Sequence, residues 1–256
     1  MSRTALITGS TSGIGYSIAL AFAGKGYNLM FHGLETNGAE IAEKVGNEYN
    51  IKTAFSNANL MQTEEIQQLI EVTVQKFSTI DVLINNAGIQ YVSPIEDFPM
   101  EKWNSIIAVN LTAAFVASKA AWSEMLKNKF GRIINISSVH GLRASEYKSA
   151  YVSAKHGITG LTKVLGLEGA SANITCNAIC PGYVKTPLVE GQIKNQSKAH
   201  GLSEEKVVRE VMLKKQAVKQ FIPEEKIAEM ALFLAAENAS AVTGSSFTLD
   251  GGWISK

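Results

Sequence analysis

The sequence predicts a single-domain α/β fold: a doubly wound parallel sheet of about seven strands, with helices on both faces and a helical excursion near residues 188–222. Two observations predict it. Short apolar runs alternate with longer amphipathic stretches along the whole chain, the pattern of repeated βαβ units. The length of 256 residues, 46% of them hydrophobic, suits one α/β domain with a sizeable core, and no Pro/Gly/Ser-rich linker or fixed-period repeat divides it.

The elements follow in order. Ala5-Leu6-Ile7 marks a first strand at 4–8, followed by a helix over 14–25. Leu29-Met30-Phe31 marks a strand at 28–32, then a helix over 39–49. A strand at 52–57 leads to a helix over 63–77, and Val82-Leu83-Ile84 forms a strand at 82–85 before a long helix over 103–127. Strands at 132–136 and 174–179 flank a helix over 150–171, and a helix over 224–236 precedes a last strand at 246–249. The segment 188–222 breaks this rhythm: it carries no strand signal, and between Gly191 and Gln220 seven Lys and Arg stand against three Glu. It reads as a solvated helical excursion, compatible with a lid over an anionic ligand.

Charge and apolar runs exclude some functions. The net charge of +1 lacks the cationic surplus that a nucleic-acid partner requires. The longest uninterrupted apolar run, 230–236, is far short of the roughly 20 residues of a membrane span. The N-terminus offers one basic residue, Arg3, and only a three-residue apolar stretch, so no signal peptide is expected and a soluble, cytoplasmic protein is. Cys176 and Cys180 share a strand face about 13 Å apart, beyond disulfide reach, and read as core thiols. No His or second Cys pair stands at zinc-site spacing, so no metal is expected.

The first strand runs into Thr8-Gly9-Ser10-Thr11-Ser12-Gly13-Ile14-Gly15 and then into a helix. Glycines permit a tight turn and let backbone N–H groups approach a pyrophosphate, while the helix start adds partial positive charge. Such a turn can be purely structural, but its place after the first strand points to a dinucleotide. The contacts expected are Gly9, Thr11, Ser12, Gly13, Ile14 and Gly15. The second strand ends Phe31-His32-Gly33-Leu34-Glu35, with no Lys or Arg before Lys44, and Ser12 ahead of Gly13 is not basic. Nothing there neutralises a 2′-phosphate, so NAD is expected over NADP; the usual ribose-binding acid is missing unless Glu35 reaches back.

Further along stand Asn85-Asn86-Ala87-Gly88, Asn110, Ser138, and Tyr151 with Lys155. Tyr151 and Lys155 lie four apart in a helical segment and so share a face. Ionising a phenol near pH 7 needs roughly 3 pKa units, about 4 kcal/mol, which a neighbouring ammonium desolvated with it can supply. Ser138 is placed to hydrogen-bond a substrate oxygen and Asn110 to hold a relay water. Singly, each has a plain structural alternative. Jointly, with Pro181-Gly182, Thr186 and the ending Asp250-Gly251-Gly252, they resemble the short-chain dehydrogenase/reductase family over essentially the whole chain.

That resemblance implies a Rossmann-type fold and nicotinamide-dependent hydride transfer. It implies Tyr151 as general acid/base, Lys155 lowering its pKa and holding the ribose, Ser138 orienting the substrate and Asn110 completing a proton relay. It implies further cofactor contacts from Gly33, Leu34, Asn59, Leu60, Asn86, Ala87, Gly88, Tyr151, Lys155, Pro181, Gly182, Val184, Thr186 and Leu188, with Thr186 on the carboxamide. Asn59 stands where many relatives carry an Asp near the adenine. Homotetramers built through the helices over 103–127 and 150–171 are implied as well.

Substrate choice rests on polar residues the reaction itself does not need: Gln90, His140, Lys148 and Gln192. Lys148 is one helical turn from Tyr151, and Lys, His and two Gln amides converging on a pocket suit a carboxylate. Each could equally be a plain loop or surface residue. The stretches 85–98 and 180–193 resemble the D-3-hydroxybutyrate dehydrogenases of that family. This implies 3-hydroxybutyrate and acetoacetate as substrates, with Gln90, His140, Lys148 and Gln192 on the carboxylate and Tyr183 and Trp253 lining the site. A reductase of 3-oxoacyl thioesters and a non-catalytic dinucleotide sensor are the rival readings.

Overall fold

The computed structural model describes residues 2–255 except 187, 188, 192, 194–196 and 198–200. A seven-stranded sheet runs in the order β3-β2-β1-β4-β5-β6-β7, every pair parallel. Its strands are β1 (Thr4–Ile7), β2 (Asn28–His32), β3 (Thr53–Ser56), β4 (Val82–Asn85), β5 (Gly131–Ile136), β6 (Ile174–Pro181) and β7 (Ser246–Leu249). The connecting helices are α1 (Gly13–Ala23), α2 (Gly38–Tyr49), α3 (Thr63–Phe77), α4 (Met100–Ile107), α5 (Ala113–Asn128), α6 (Ser149–Gly169) and α7 (Glu224–Ala235).

Side chains alternate across a strand, so each apolar run serves two cores. Ala5, Ile7, Leu29, Phe31, Val82, Ile84 and Ile134 face α1 and α7, meeting Ile18, Phe22, Ile227 and Leu234. Leu6, Met30, Leu83 and Ile133 face the other way, onto Ile66, Leu69 and Ile70 of α3 and Ala113, Ala117 and Ala121 of α5. The order reverses at β1, where the chain first runs outward to β3 and then returns to β4. A crevice opens there at the carboxyl ends of the strands, the place where ligands bind in such sheets.

Three features differ from the sequence expectations. The long helix begins at Met100 and is interrupted by a π-helical turn, Ala108–Thr112, that separates α4 from α5. The helical stretch Met100–Asn128 is long and apolar enough by length and composition to cross a membrane, which uninterrupted apolar runs did not reveal. Its most apolar 18-residue window is nearly half buried, and Ala113, Ala117 and Ala121 pack under the sheet, as a core helix does. In the expected lid, Val184 bridges Ile222, and Val189, Ile193, Val207 and Met212 form a small apolar cluster with Tyr183 and Phe221.

Candidate active site

The crevice at the strand ends is a cleft of about 520 Å³, within the size range of small-molecule sites. Two groups of the expected residues line it. The cofactor group runs from Gly9 and Thr11 through Gly33 and Leu34 to Asn59, Leu60, Asn86, Ala87 and Gly88, closing at Pro181, Gly182, Val184 and Thr186. The second group is Gln90, Ser138, His140, Lys148, Tyr151, Lys155, Tyr183 and Trp253. Leu188 and Gln192 lie outside the described residues.

The glycine turn is held from beneath. Gly9 has φ +63, a left-handed backbone that favours glycine, and its N–H donates to His32 Nδ1 at 3.1 Å. A ring nitrogen that accepts carries no proton, so His32 Nε2–H donates to the Ala58 carbonyl at 2.9 Å. Burial pushes the His32 pKa down and keeps the ring neutral, as this pair of bonds requires. His32 was not among the expected site residues; its place at the end of the second strand was the available signal.

Asn86, besides lining the cleft, and Gly15 also serve the turn. Asn86 Nδ2 donates to the Thr8 and Gly9 carbonyls, both at 2.9 Å, and Thr8 Oγ1 accepts the Asn86 and Ala87 N–H groups. A Cβ on Gly15 would lie 2.0 Å from the Gly9 carbonyl oxygen, so Gly15 lets α1 pack directly under the turn. Gly15→Ala is therefore expected to cost about 2 kcal/mol or more of stability through overpacking, read as a lowered Tm with weakened dinucleotide binding.

The cradle fits a dinucleotide. Its floor is glycine backbone at the start of α1, and the far end carries a carboxylate, Glu35, that accepts a hydrogen bond from Thr11 Oγ1. Glu35 thus does reach back from the end of β2 and lines the cleft. Asn59 Oδ1 accepts the Met61 N–H at 3.0 Å and keeps a second lone pair.

Ser138 follows β5 and caps a short 3₁₀ turn, Val139–Gly141, accepting the His140 N–H at 3.2 Å. Tyr151 and Lys155 project from the first turns of α6 into the same space, and Lys155 Nζ donates to the Ile136 carbonyl at 2.7 Å. Burial pushes the Tyr151 phenol above its ordinary value, only partly offset by its hydrogen bond with Ser138. Lys155, 5.6 Å from the Tyr151 ring centre, is itself desolvated, which brings it down to about 8. Asn110 lies behind the cleft wall on the π-helical turn, its Oδ1 accepting from Ile89 N–H at 2.8 Å and its Nδ2 donating to Ile89 carbonyl at 2.9 Å. Its side chain thus ties the Ile89 backbone to the π-helical turn.

The other end of the cleft is aromatic and cationic. Lys148 Nζ stands 3.4 Å from His140 Nε2. Burial and the nearby Lys215 charge bring Lys148 down to about 8, and burial with the charges of Lys148 and Lys215 brings His140 down to about 3. The ring is therefore neutral while Lys148 remains charged at neutral pH. Tyr183 stacks on Trp253 with centres 5.4 Å apart, and His140 meets Trp253 edge-on at 5.5 Å. Lys215 was counted in the sequence only as one of the excursion's basic residues; no pattern in the sequence places it beside His140.

The chain matches the short chain dehydrogenase family over residues 3–197. It is 46% identical to the D-beta-hydroxybutyrate dehydrogenase of Rhizobium meliloti, covering all of both chains. It is 35% identical to a 3-oxoacyl-[acyl-carrier-protein] reductase of Synechocystis sp., covering 98% of this chain and 97% of that one. Among solved structures, a variant of actinorhodin polyketide ketoreductase with NADPH superimposes with a TM-score of 0.93 at 30% identity, covering 98% of this chain and 97% of that one. The parallel seven-stranded sheet agrees with these likenesses. The chain belongs to the short chain dehydrogenase family, as an oxidoreductase that works with a nicotinamide dinucleotide on a small-molecule substrate.

Proposed function

We propose that the protein interconverts (R)-3-hydroxybutyrate and acetoacetate with NAD. The observation that carries this reading is the buried, charged Lys148 at 3.4 Å from a neutral His140, in the same cleft as Ser138 and Tyr151. A buried ammonium without a counter-ion is costly, and a substrate carboxylate supplies that counter-ion. Gln90 lines the same wall, and Tyr183 and Trp253 offer apolar faces to the carbon chain. A thioester has no carboxylate to pair with Lys148.

The residues then divide the work. A nicotinamide dinucleotide held by the glycine turn would supply the hydride exchange. Ser138 hydrogen-bonds the substrate oxygen, and Tyr151 exchanges a proton with it. Because burial favours the neutral phenol, the residue set by itself holds Tyr151 as the proton donor that carbonyl reduction requires. Lys155, anchored on the Ile136 carbonyl, keeps an ammonium next to that proton. Lys148, His140 and Gln90 fix the carboxylate at a set distance from the reacting carbon, which selects chain length and one hand of the alcohol. Asn110 holds the Ile89 backbone, and with it the loop that carries Gln90.

Glu35 supports NAD over NADP, since a carboxylate accepts from a ribose hydroxyl and repels a 2′-phosphate. We expect kcat/KM with NAD to exceed that with NADP by about 100-fold, because a like-charge juxtaposition costs several kcal/mol. A steady-state assay with both cofactors against 3-hydroxybutyrate, its enantiomer and 3-hydroxybutyryl thioester tests the whole reading. Turnover of the thioester in preference to the free acid would overturn it. The residues 188–222 are proposed as the lid, and the exposed Phe115, Leu126, Val164 and Leu167 on α5 and α6 support a homotetramer, checked by light scattering.

A further inference from the structure

The excursion after β6 ends in a turn fastened to the body of the enzyme. Gln216 is fully buried; its Oε1 accepts the Tyr183 N–H at 3.2 Å, and its Nε2 donates to the Val218 and Gln220 carbonyls at 3.2 and 3.0 Å. The Ala217 and Val218 N–H groups both donate to the Gly251 carbonyl, at 2.8 and 2.9 Å. Lys219 Nζ closes the preceding 3₁₀ turn, Leu213–Lys215, by donating to the Leu213 and Lys214 carbonyls at 2.9 and 2.7 Å. Lys215 is exposed, yet the backbone on which it rides is set by these hydrogen bonds and by the buried Gln216 next to it.

That turn aims Lys215 at the pocket. Its Nζ stands 5.9 Å from the Trp253 ring centre, while Lys148 Nζ stands 5.8 Å from the ring centre of Tyr183. The stacked pair of rings therefore carries an exposed cation at one member and a buried cation at the other, with His140 edge-on to Trp253. Two like charges at one stacked ring pair, with no carboxylate among the described residues acting on Lys148, form a field that favours an anion.

We propose that Lys215 is the outer cation of the substrate pocket, drawing an anionic substrate in across the Trp253–Tyr183 face and delivering its carboxylate to the buried Lys148. This rests on the carboxylate-pocket reading above and adds to it a positioning and specificity residue that never touches the reacting carbon. Its effect is on capture and affinity, and it acts over a distance of the order of the Debye length, about 8 Å at physiological salt. It also acts on Lys148 itself. Among the described residues, His140 after β5 and Tyr183 after β6 face Lys148, and Lys215 acts on it through its charge. The imidazole and the phenol are neutral near pH 7, so burial first, and then the Lys215 charge, holds Lys148 low.

The experiment uses the full-length enzyme with Lys215→Met, Lys215→Arg and Lys148→Met. Measured are kcat and KM for 3-hydroxybutyrate across pH 6 to 10 (roughly the span in which Lys148 titrates) and across ionic strength, and KM for NAD. Lys215→Met is expected to raise KM for the acid about 3- to 10-fold with kcat within about twofold, and to flatten its salt dependence. It is also expected to move the alkaline rise in KM to higher pH, because Lys148 keeps its proton longer once the neighbouring charge is gone. Lys215→Arg should restore all three, and KM for NAD should not move. An unchanged KM and alkaline rise, or an equal rise in KM for NAD, would overturn the inference. If Lys148→Met raises KM while Lys215→Met does nothing, the inference alone fails. If neither variant affects KM, the carboxylate pocket itself is wrong.

Discussion

Tyr151→Phe is expected to lower kcat by about 10³-fold or more while dinucleotide affinity stays within about threefold, the loss typical of removing a positioned general acid/base. The substitution is nearly pure chemistry. Phe keeps the ring that meets His140 edge-on at 6.1 Å and that faces Lys155, and it removes only the hydroxyl that shares a hydrogen bond with Ser138. The direction of the Tyr151 shift gives a second readout. Burial raises the phenol, so at neutral pH it is protonated in the residue set. Carbonyl reduction, which needs the proton, should then be flat through neutral pH and fall as the phenol ionises. Alcohol oxidation, which needs the base, should rise over the same range. Turnover of the Phe variant within tenfold of the parent would show that the proton comes from elsewhere.

Lys148→Ala is expected to raise KM for 3-hydroxybutyrate about 30-fold or more, since truncating one member of a buried charge pair costs 2–5 kcal/mol. A neutral secondary alcohol of similar size should be affected far less, because it presents no charge to pair. The pH dependence follows from the same group. Lys148 is desolvated to about 8 and carries its charge below that value. KM for the acid should therefore be low and flat at neutral pH and climb as the pH rises through about 8. His140, held down to about 3, stays neutral over this whole range and contributes no break. A KM that is flat up to pH 10, or an equal loss with the neutral alcohol, would remove Lys148 from carboxylate binding.

The site was more legible than its electrostatics. The glycine turn, the Ser138, Tyr151 and Lys155 set, and the Gln90, His140 and Lys148 set are each a matter of residue type and spacing along elements whose order is fixed by alternation. Strands so close in register to the expected ones bring these residues to one crevice once the sheet is parallel. Partners set by packing were not legible. The Asn110 amide is taken by Ile89, and Asn86 by the turn it borders. His32 braces Gly9 from across the sheet, and Lys215 reaches Trp253 from 38 positions earlier in the chain. None of these pairs shares an element, so no local periodicity announces them.

By itself, the order of residues determined the parallel α/β architecture and the place of the dinucleotide cradle, which follow from hydrophobic alternation and from backbone rules that act over a few residues. The groups proposed to meet the reacting atoms came from its resemblance to a known family. The tertiary structure decided which of those groups are charged. Whether Tyr151 holds its proton, whether His140 is neutral and where Lys148 titrates depend on how much water each loses and which distant charge it faces. Those are properties of three-dimensional distance that no local pattern encodes.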